Sequence, residues 1–235
     1  MTPKANTPRQ PLTKERILQA AVDVADQDGL GALTMRRLGT ELGFEAMAIY
    51  KHVANKEEIL EGMLELVVGQ IEIPEEGADW RDAMRRRAVS AREVFSRHSW
   101  AIALQEAGTA TGSTTLRYRN AILGNLRSAG FPMEYVAHAF SLLDSYVYGQ
   151  VIQEISLSFD TSEETTETAR STLEQTTMDD YPHLAAMYEH ALTYDYSFDG
   201  EFEFGLDLIL DGLERHRSPP QLATESEGRR STTST

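Results

Sequence analysis

Apolar residues near the N-terminus recur every three or four positions, a spacing that predicts helices. The first predicted helix spans residues 13–28. A second begins after Thr34, carries Leu38 and Leu42 on one face and is followed by Gly43. Threonine is favoured as the residue that caps the start of a helix, and glycine is favoured just beyond its end. Both ends of the second helix are therefore marked in the sequence.

A third, shorter helix is predicted directly after Gly43, with its apolar face at Ala46, Ile49 and Val53. Two helices joined by a glycine-containing turn form the helix-turn-helix pattern, whose second helix enters the major groove of DNA. The alternative is a structural hairpin in an unrelated helical protein, which this pattern alone does not separate from a DNA-binding motif. The outward positions of the third helix are small, basic or aromatic, namely Met47, Ala48, Tyr50, Lys51 and His52.

Helices dominate the rest of the chain as well, so the predicted fold class is all-α. Residues 160–179 are rich in threonine and glutamate and poor in large apolar side chains, which predicts a mobile loop or a weak helix. Loops are predicted where glycine and small polar residues cluster, as in residues 108–114. The further helices are predicted over residues 56–71, 80–96, 100–107, 115–129, 133–158, 181–193 and 200–215.

The predicted helix over residues 133–158 is apolar on two faces, which indicates two packing partners. Glycine in a helix interior costs about 1 kcal/mol relative to alanine, and close approach of another helix would justify that cost. Incidental glycines are the alternative. We predict an interface of four helices, two from each of two chains, that includes Gly149, Phe202, Gly205, Ile209 and Gly212.

Composition narrows the class of protein. A chain of 235 residues with 41% apolar residues can bury a substantial core. The sequence contains no cysteine, which excludes disulfides and thiolate metal sites and fits a cytoplasmic location. No apolar stretch approaches the ~20 residues that a membrane-spanning helix needs, so no membrane partner is expected. The first residues also lack the apolar run of a signal peptide.

The net charge of −15 is unusual for a protein that binds DNA, but the charge is unevenly distributed. Residues 1–56 carry eight basic and six acidic side chains, a net charge of +2. The other residues therefore hold 14 basic and 31 acidic side chains, a net charge of −17. Such asymmetry suggests that only the N-terminal end meets phosphate. The alternative is the general acidity of many bacterial proteins.

Two other classes of function compete with DNA binding. One is an all-α enzyme, because the chain has six histidines and many carboxylates. The other is an adaptor that binds protein and not DNA. The motifs H-E-x-x-H, G-x-S-x-G and the P-loop do not occur, and no cysteine nucleophile exists. Neither a metal nor a cofactor is therefore expected, and an enzyme is disfavoured.

The helix-turn-helix segment resembles the N-terminal signature of the tetracycline-repressor family of bacterial regulators, over about residues 13–64. Later segments, such as LRSAGF and FEFGLDLILDGLE, resemble the ligand-binding and dimerisation domain of the tetracycline-repressor subfamily. The resemblance implies a homodimer whose ligand-free form binds a palindromic operator and which a small molecule releases. The matching signature residues are Thr34, Leu38, Leu42, Gly43, Tyr50, His52, Val53, Asn55, Lys56 and Leu60.

These observations together predict five parts of the chain. A DNA-binding domain and a connecting helix precede the ligand-binding and dimerisation domain, and a disordered segment lies at each end. The predicted bounds are residues 1–12 for the disordered arm, 13–56 for the DNA-binding domain, 57–72 for the connecting helix, 73–217 for the large domain and 218–235 for the disordered tail.

The resemblance assigns roles to DNA-facing residues by position. Arg36 matches a residue that reaches a base edge, and arginine can contact both O6 and N7 of guanine. A phosphate contact is the alternative for Arg36. Ala46, Met47 and Ala48 would contact a thymine methyl group, although Ala46 could belong to the core. Phosphate contacts, which position a protein without reading sequence, are implied for Tyr50, His52 and Lys56, with Thr34 adding a hydroxyl group and Lys51 open to either role.

Arg87 and Asp144 are the most diagnostic residues of the implied ligand cavity. A charge on an otherwise apolar face needs a partner, water or ligand, and these two could pair with each other. At the position of the histidine that holds drug-bound magnesium in the tetracycline repressor, this chain has Gln105 or Glu106, so magnesium-tetracycline is not the expected ligand. Plain core packing is the alternative for Trp100, Phe140 and Leu143. The predicted cavity is lined by Arg87, Trp100, Leu104, Tyr118, Ile122, Phe140, Leu143 and Asp144.

Overall fold

A computed structural model of the chain describes residues 11–108, 112–156, 162–193 and 197–217. The predicted tail and nearly all of the predicted N-terminal arm lie outside the described residues. The described part contains eleven α-helices and one turn of 3-10 helix at Leu30–Ala32. The α-helices are α1 Lys14–Asp28, α2 Met35–Leu42, α3 Ala46–Ile49, α4 Lys56–Val68, α5 Trp80–Arg97, α6 Trp100–Glu106, α7 Ser113–Ser128, α8 Met133–Ser156, α9 Ser162–Gln175, α10 Pro182–Ala191 and α11 Phe198–Glu214.

The first helices begin and end where the sequence predicts, because their capping residues form the expected bonds. Thr13 accepts a hydrogen bond from the backbone N–H of Arg16 at the start of α1. Thr34 does the same for Arg37 at the start of α2. Gly43, at the end of α2, has a φ of 72°, a left-handed conformation that glycine adopts without strain. These caps fix the lengths of α1 and α2.

Helix α4 connects the N-terminal domain, α1–α3, with the rest of the chain. Asn55 caps it by accepting from the backbone N–H of Glu58. Helix α4 packs on α1 of the N-terminal domain and on α6 and α7 of the rest of the chain. Ile59, Met63 and Val67 on α4 are buried. Helix α4 therefore packs against helices of both domains.

The large core is built around α8, which packs against α5, α7 and α11. The predicted apolar stripe of α8 is buried at Val136, Leu143, Val147 and Val151. None of the helices in the described part of the chain has the length and apolar character to cross a membrane. The described helices α9 and α10 pack mainly on each other.

The structure corrects several predicted boundaries. The segment predicted as a loop or weak helix contains α9, which spans Ser162–Gln175. The third helix ends at Ile49 and continues as a turn, in which His52 and Val53 donate to the carbonyl of Ile49. Helix α7 begins at Ser113, inside the predicted loop, because its first turn is bound by a side chain of α4.

Candidate DNA-binding surface and ligand site

The turn between α2 and α3 requires a close approach of two backbones. A Cβ atom placed on Gly39 would lie 2.7 Å from the carbonyl oxygen of Phe44 and 3.3 Å from the backbone nitrogen of Ala46. Contacts below 3.0 Å with backbone atoms cannot be relieved by moving a side chain. Gly39 therefore lets α3 cross α2 at the distance that this motif needs. The apolar pattern does not predict this role for Gly39, and the only signal for it is a glycine inside a predicted helix.

Helix α3 is anchored on one side and open on the other. The side chain of Ile49 is completely buried, whereas 72% of Met47 and 45% of Tyr50 remain exposed. Exposed large apolar side chains on a short helix mark a surface that another molecule can cover. Lys51 and His52, which follow in the turn, are exposed as well.

Two neighbouring arginines of α2 differ in whether carboxylates of the same chain already bind their guanidinium groups. The guanidinium of Arg37 forms ion pairs with Asp28 at 3.2 Å and with Glu41 at 3.0 Å. Arg36 is exposed, and its guanidinium has no ion pair within the described residues. Arg36 can therefore meet a base or a phosphate without first breaking an ion pair. The structure thus distinguishes Arg36 from Arg37, its neighbour in the sequence, by their ion pairs.

The other predicted DNA contacts lie around this surface. Thr34 is exposed and also caps α2, so its hydroxyl oxygen already accepts one hydrogen bond. Lys56 is exposed at the first position of α4. Ala46 and Ala48 on α3 are partly exposed. The structure therefore brings the predicted residues to the same end of the chain, on α2, α3 and the start of α4.

In the large core, three of the predicted ligand-site residues form one buried polar cluster. The Nε atom of Arg87 on α5 donates to the hydroxyl of Tyr118 on α7 at 2.6 Å. An Nη atom of Arg87 pairs with the carboxylate of Asp144 on α8. Only 2% of Arg87 is exposed. The predicted pairing of Arg87 with Asp144 is therefore confirmed.

Electrostatics fix the protonation states of Arg87 and Tyr118. Burial on its own would lower the pKa of Arg87, but the neighbouring Tyr118 and Asp144 raise that pKa overall. Burial raises the pKa of Tyr118 to about 12, against the opposing effect of Arg87. Arg87 is thus charged and Tyr118 neutral near pH 7. The second Nη atom of Arg87 is buried and has no hydrogen-bond partner among the described residues.

The apolar residues predicted for the cavity divide into two groups. Ile122 and Leu143 are fully buried, and Phe140 is partly buried against the same core. Gln105 on α6 is also buried, and its side-chain oxygen lacks a hydrogen-bond partner within the described residues. The buried oxygen of Gln105 and the buried Nη atom of Arg87 both lie in this domain without a partner among the described residues, and polar groups of a ligand could supply the missing hydrogen bonds.

Trp100 and Leu104 lie elsewhere, which corrects their assignment to the same cavity. The indole nitrogen of Trp100 donates to Asp26 of α1 at 2.6 Å, so this residue sits at the boundary between the two domains. Leu104 lines a groove of about 540 Å³ between α4 and α6, together with Leu60 and Ala107. Both residues lie on α6, whose contacts with other helices the sequence pattern does not specify.

Glu65 joins α4 to the first turn of α7. Its carboxylate accepts from the backbone nitrogens of Thr114 at 2.6 Å and Thr115 at 2.9 Å, and from the Thr115 hydroxyl at 2.6 Å. Burial on its own would raise the pKa of Glu65, but these hydrogen bonds leave it below its ordinary value. A carboxylate at this place supplies the cap that α7 lacks in its own sequence.

Comparison with known proteins identifies this architecture. Residues 17–63 match the family described as bacterial regulatory proteins, tetR family, and residues 73–217 match the tetracyclin repressor-like C-terminal domain. The chain therefore belongs to the TetR family of bacterial transcriptional regulators. This membership confirms the predicted family and the all-α fold with an N-terminal helix-turn-helix domain. It identifies the chain as a ligand-responsive, DNA-binding regulator.

Several TetR-family relatives cover most of the chain. The transcriptional repressor DrrR1 of Streptomyces coeruleorubidus is 31% identical over 216 residues, which cover 88% of this chain and 79% of that protein. The class A tetracycline repressor from Escherichia coli is 28% identical and covers 88% of this chain and 92% of its own length. Among solved structures, ActR of Streptomyces coelicolor in complex with actinorhodin has a TM-score of 0.70 and 27% identity, covering 88% of this chain and 98% of that one.

Part of the predicted dimer surface is buried within the single chain. Phe202 is only 1% exposed and stacks on Tyr146 at 5.4 Å between ring centroids, so its assignment to the contact between chains is wrong. A Cβ atom on Gly205 would lie 2.2 Å from the Tyr146 hydroxyl oxygen, so this glycine accommodates a neighbour in its own chain. Ile209 is partly buried against the core. An added Cβ on Gly149 or Gly212 would meet open space.

Proposed function

We propose that this TetR-family regulator is a homodimeric repressor that binds a palindromic operator and is released by a small, largely apolar or aromatic molecule. The proposal is carried by the anchored but open helix α3, on which Ile49 is buried while Met47 and Tyr50 face outward. A helix fixed on one side and exposed on the other can enter a major groove without rearrangement of its domain. Two copies of α3, related by a two-fold axis, would read two half-sites about 34–36 Å apart or slightly more.

We assign sequence reading to Arg36, Met47 and Ala48. The free guanidinium of Arg36 suits guanine, and the apolar side chains suit the methyl group of thymine. Ala46 is a weaker candidate because it also contributes to the turn near Gly39. Phosphate contacts are assigned to Thr34, Tyr50, Lys51, His52 and Lys56, all of which are exposed.

For dimerisation, we propose the outer face of α8 and α11 as the surface that a second copy of this chain covers. Phe204 and Leu208 on α11 are 65% and 58% exposed, and Leu142 and Ile152 on α8 are also exposed. The two helices pack on each other, and an added Cβ on Gly149 or Gly212 would meet open space, so we infer that these residues belong to one exposed surface. The surface continues from the core helices, as in a bundle of two helices from each chain.

The ligand would bind next to the cluster of Arg87, Tyr118 and Asp144, with Gln105 at another edge. Ile122, Phe140 and Leu143 would supply the apolar contacts. Such mostly apolar sites with a few fixed polar groups are typical of small-molecule pockets. The relative ActR has been solved in complex with actinorhodin, which supports a small-molecule ligand for this chain as well. The unsatisfied Nη atom of Arg87 predicts that the ligand carries a hydrogen-bond acceptor.

We place the working protein in the cytoplasm, where bacterial DNA is located. The proposed division of labour keeps the bounds predicted from the sequence: residues 13–56 read DNA, residues 57–72 connect, and residues 73–217 bind the ligand and the second chain. The excess of acidic residues in the large domain would keep that domain away from phosphate. The basic end would therefore be the end that approaches the operator.

Binding to the DNA upstream of the protein's own gene, measured by fluorescence anisotropy, tests the proposal. Arg36→Ala should weaken binding to the operator by about 1–3 kcal/mol and relax the preference at one base pair. Arg170→Ala, which removes the same charge from the exposed surface of α9, should leave affinity unchanged. Tyr50→Ala should weaken all sequences alike. Absence of binding to upstream DNA and to a random DNA library would overturn the repressor proposal.

The ligand is best sought by native mass spectrometry of protein purified without denaturation. A compound that is retained and lowers operator affinity would be the effector. Ile122→Trp, which enlarges a buried side chain of α7 at the proposed ligand site, should abolish release while the ligand-free protein still binds the operator. Normal release of this variant by the same compound would place the pocket elsewhere.

A further inference from the structure

Asp26, near the end of α1, contacts the corner between α5 and α6. Its Oδ1 atom accepts from the indole nitrogen of Trp100 at 2.6 Å. The Nδ1 atom of His98 lies 2.9 Å from Oδ1 and 3.0 Å from Oδ2 of the same carboxylate. Because a carboxylate only accepts hydrogen bonds, His98 must donate its Nδ1 proton. One side chain of the DNA-binding domain therefore holds two groups of the large domain.

The two donors of this contact are largely shielded from solvent, and their distances to Asp26 are short. Trp100 is buried, and the His98 side chain is only 12% exposed. The two rings meet edge to face, with 6.2 Å between their centroids. On its other side, the Nε2 atom of His98 lies 3.4 Å from the amide nitrogen of Gln70, just beyond the end of α4. We call Asp26, His98 and Trp100 the interdomain latch.

The interdomain latch lies at the N-terminal end of the short helix α6. Helix α6 is seven residues long, with Trp100 at its start and Gln105 near its end. Ala101 and Ile102 are buried, so the helix is held along its length. The side-chain oxygen of Gln105 is the buried acceptor that lacks a partner among the described residues. Because Trp100 and Gln105 belong to one short helix, a shift of that helix on ligand binding would move Trp100 as well.

We propose that the interdomain latch fixes the orientation of the DNA-binding domain and is the point at which α6 transmits ligand binding to α1. This inference rests on the proposed function and adds a route for its regulation. The latch adds a direct link to the connection through α4, because Asp26 belongs to α1 and contacts the corner before α6. In the proposed state without ligand, the two recognition helices are held at a defined separation. Release of the latch lets that separation vary.

The absence of cysteine permits a direct measurement of that separation. A single Thr40→Cys substitution places one spin label on the exposed side of α2 in each chain of the dimer. Pulsed electron paramagnetic resonance then gives the distance between the two DNA-binding domains. Trp100→Phe removes the indole donor but keeps an aromatic ring. Asp26→Asn removes the charge and one acceptor.

Asp23→Asn is the matched control, because Asp23 lies on the same helix and pairs only locally with Gln19 at 2.9 Å among the described residues. Both aspartate substitutions remove one negative charge, so a general electrostatic effect on DNA affinity would be equal. We expect Trp100→Phe and Asp26→Asn to broaden the distance distribution and to lower operator affinity at least fivefold relative to the control. The circular dichroism spectrum should remain helical.

A narrow, unchanged distance distribution in both latch variants, together with operator affinity equal to that of the control, would overturn the proposal. If Asp26→Asn fails to fold, Trp100→Phe alone decides, since it removes the indole donor and keeps an aromatic ring. Failure of the parent protein to bind its upstream DNA would refute the proposed function. In that case the distance measurement still shows whether the latch orients the domains.

Discussion

The buried cluster of Arg87, Tyr118 and Asp144 gives the sharpest test of how the large domain is stabilised. Arg87 cannot escape its burial by losing a proton, because its pKa is raised and an arginine remains charged in proteins. Asp144→Leu would leave this charge buried without its counter-ion. Breaking a buried ion pair in this way costs about 3–5 kcal/mol. Arg87→Met should be similarly costly, since it leaves the carboxylate of Asp144 largely buried.

The double variant Arg87→Met/Asp144→Leu should be far more stable than the sum of the two single changes. It removes both charges, and its main remaining penalty is the Tyr118 hydroxyl, which loses the donor that now lies 2.6 Å away. A buried hydroxyl without its partner costs about 1–3 kcal/mol. Adding Tyr118→Phe removes that penalty too. The triple variant should therefore match or exceed the parent, because replacing a buried ion pair by apolar groups is often neutral or stabilising by about 1–4 kcal/mol.

Urea unfolding followed by far-ultraviolet circular dichroism measures these differences. The protein concentration must be fixed, because dimerisation contributes to the apparent stability. A cost of less than about 1 kcal/mol for Asp144→Leu, or additive effects of the two single changes in the double variant, would contradict the buried ion pair as the source of this stability. Either result would mean that Arg87 reaches water or another acceptor once Asp144 is removed.

Three further predictions concern other parts of the structure. Gly39→Ala should destabilise the DNA-binding domain by about 1–3 kcal/mol in thermal unfolding because its Cβ meets backbone, whereas Gly31→Ala should be tolerated because its Cβ meets open space. The stabilisation from Glu65, whose folded pKa is lowered, should be full above the unfolded value of about 4.3 and vanish as pH falls through the folded value. Melting temperatures of parent and Glu65→Gln should therefore differ at pH 7 and converge in acid; a difference that persists at low pH would contradict this assignment. Phe204→Glu should produce monomers in sedimentation, unlike Glu203→Gln, and an intact dimer would remove α11 from the proposed interface.

The N-terminal domain could be predicted closely because its signals are local. Thr13, Thr34 and Asn55 each bind a backbone N–H three residues later, which is a relation that sequence spacing reveals. Gly43 likewise occupies the left-handed position that its place after an apolar stripe predicts. The length of α3 was less accessible, because its continuation as a turn depends on packing of Val53.

The interior of the large domain was only partly predictable, because its contacts join residues distant in the chain. The spacing of α8 predicts that Asp144 lies on a buried face, and charge then demands a partner such as Arg87. Nothing local in the sequence predicts that Trp100 binds Asp26, which lies 74 positions earlier. For the same reason, the small size of Gly205 suggested contact with another chain, although Tyr146 of the same chain occupies that space.

The energies of the two polar clusters suggest different parts in switching. Separating Arg87 from Asp144 without replacement costs about 3–5 kcal/mol, more than the 1–3 kcal/mol that typically couples a ligand site to a distant site. A ligand that enters between these groups must therefore bring its own acceptor, and a purely apolar ligand must leave the pair intact. The hydrogen bonds of the interdomain latch contribute less free energy than separating Arg87 from Asp144 costs. Hydrogen bonds to a charged group contribute about 1.5–3 kcal/mol, and the partial exposure of Asp26 reduces this value. The free energy lost when these hydrogen bonds break therefore matches the coupling free energy that gives about 5–150-fold release. The latch can consequently open while the core remains folded.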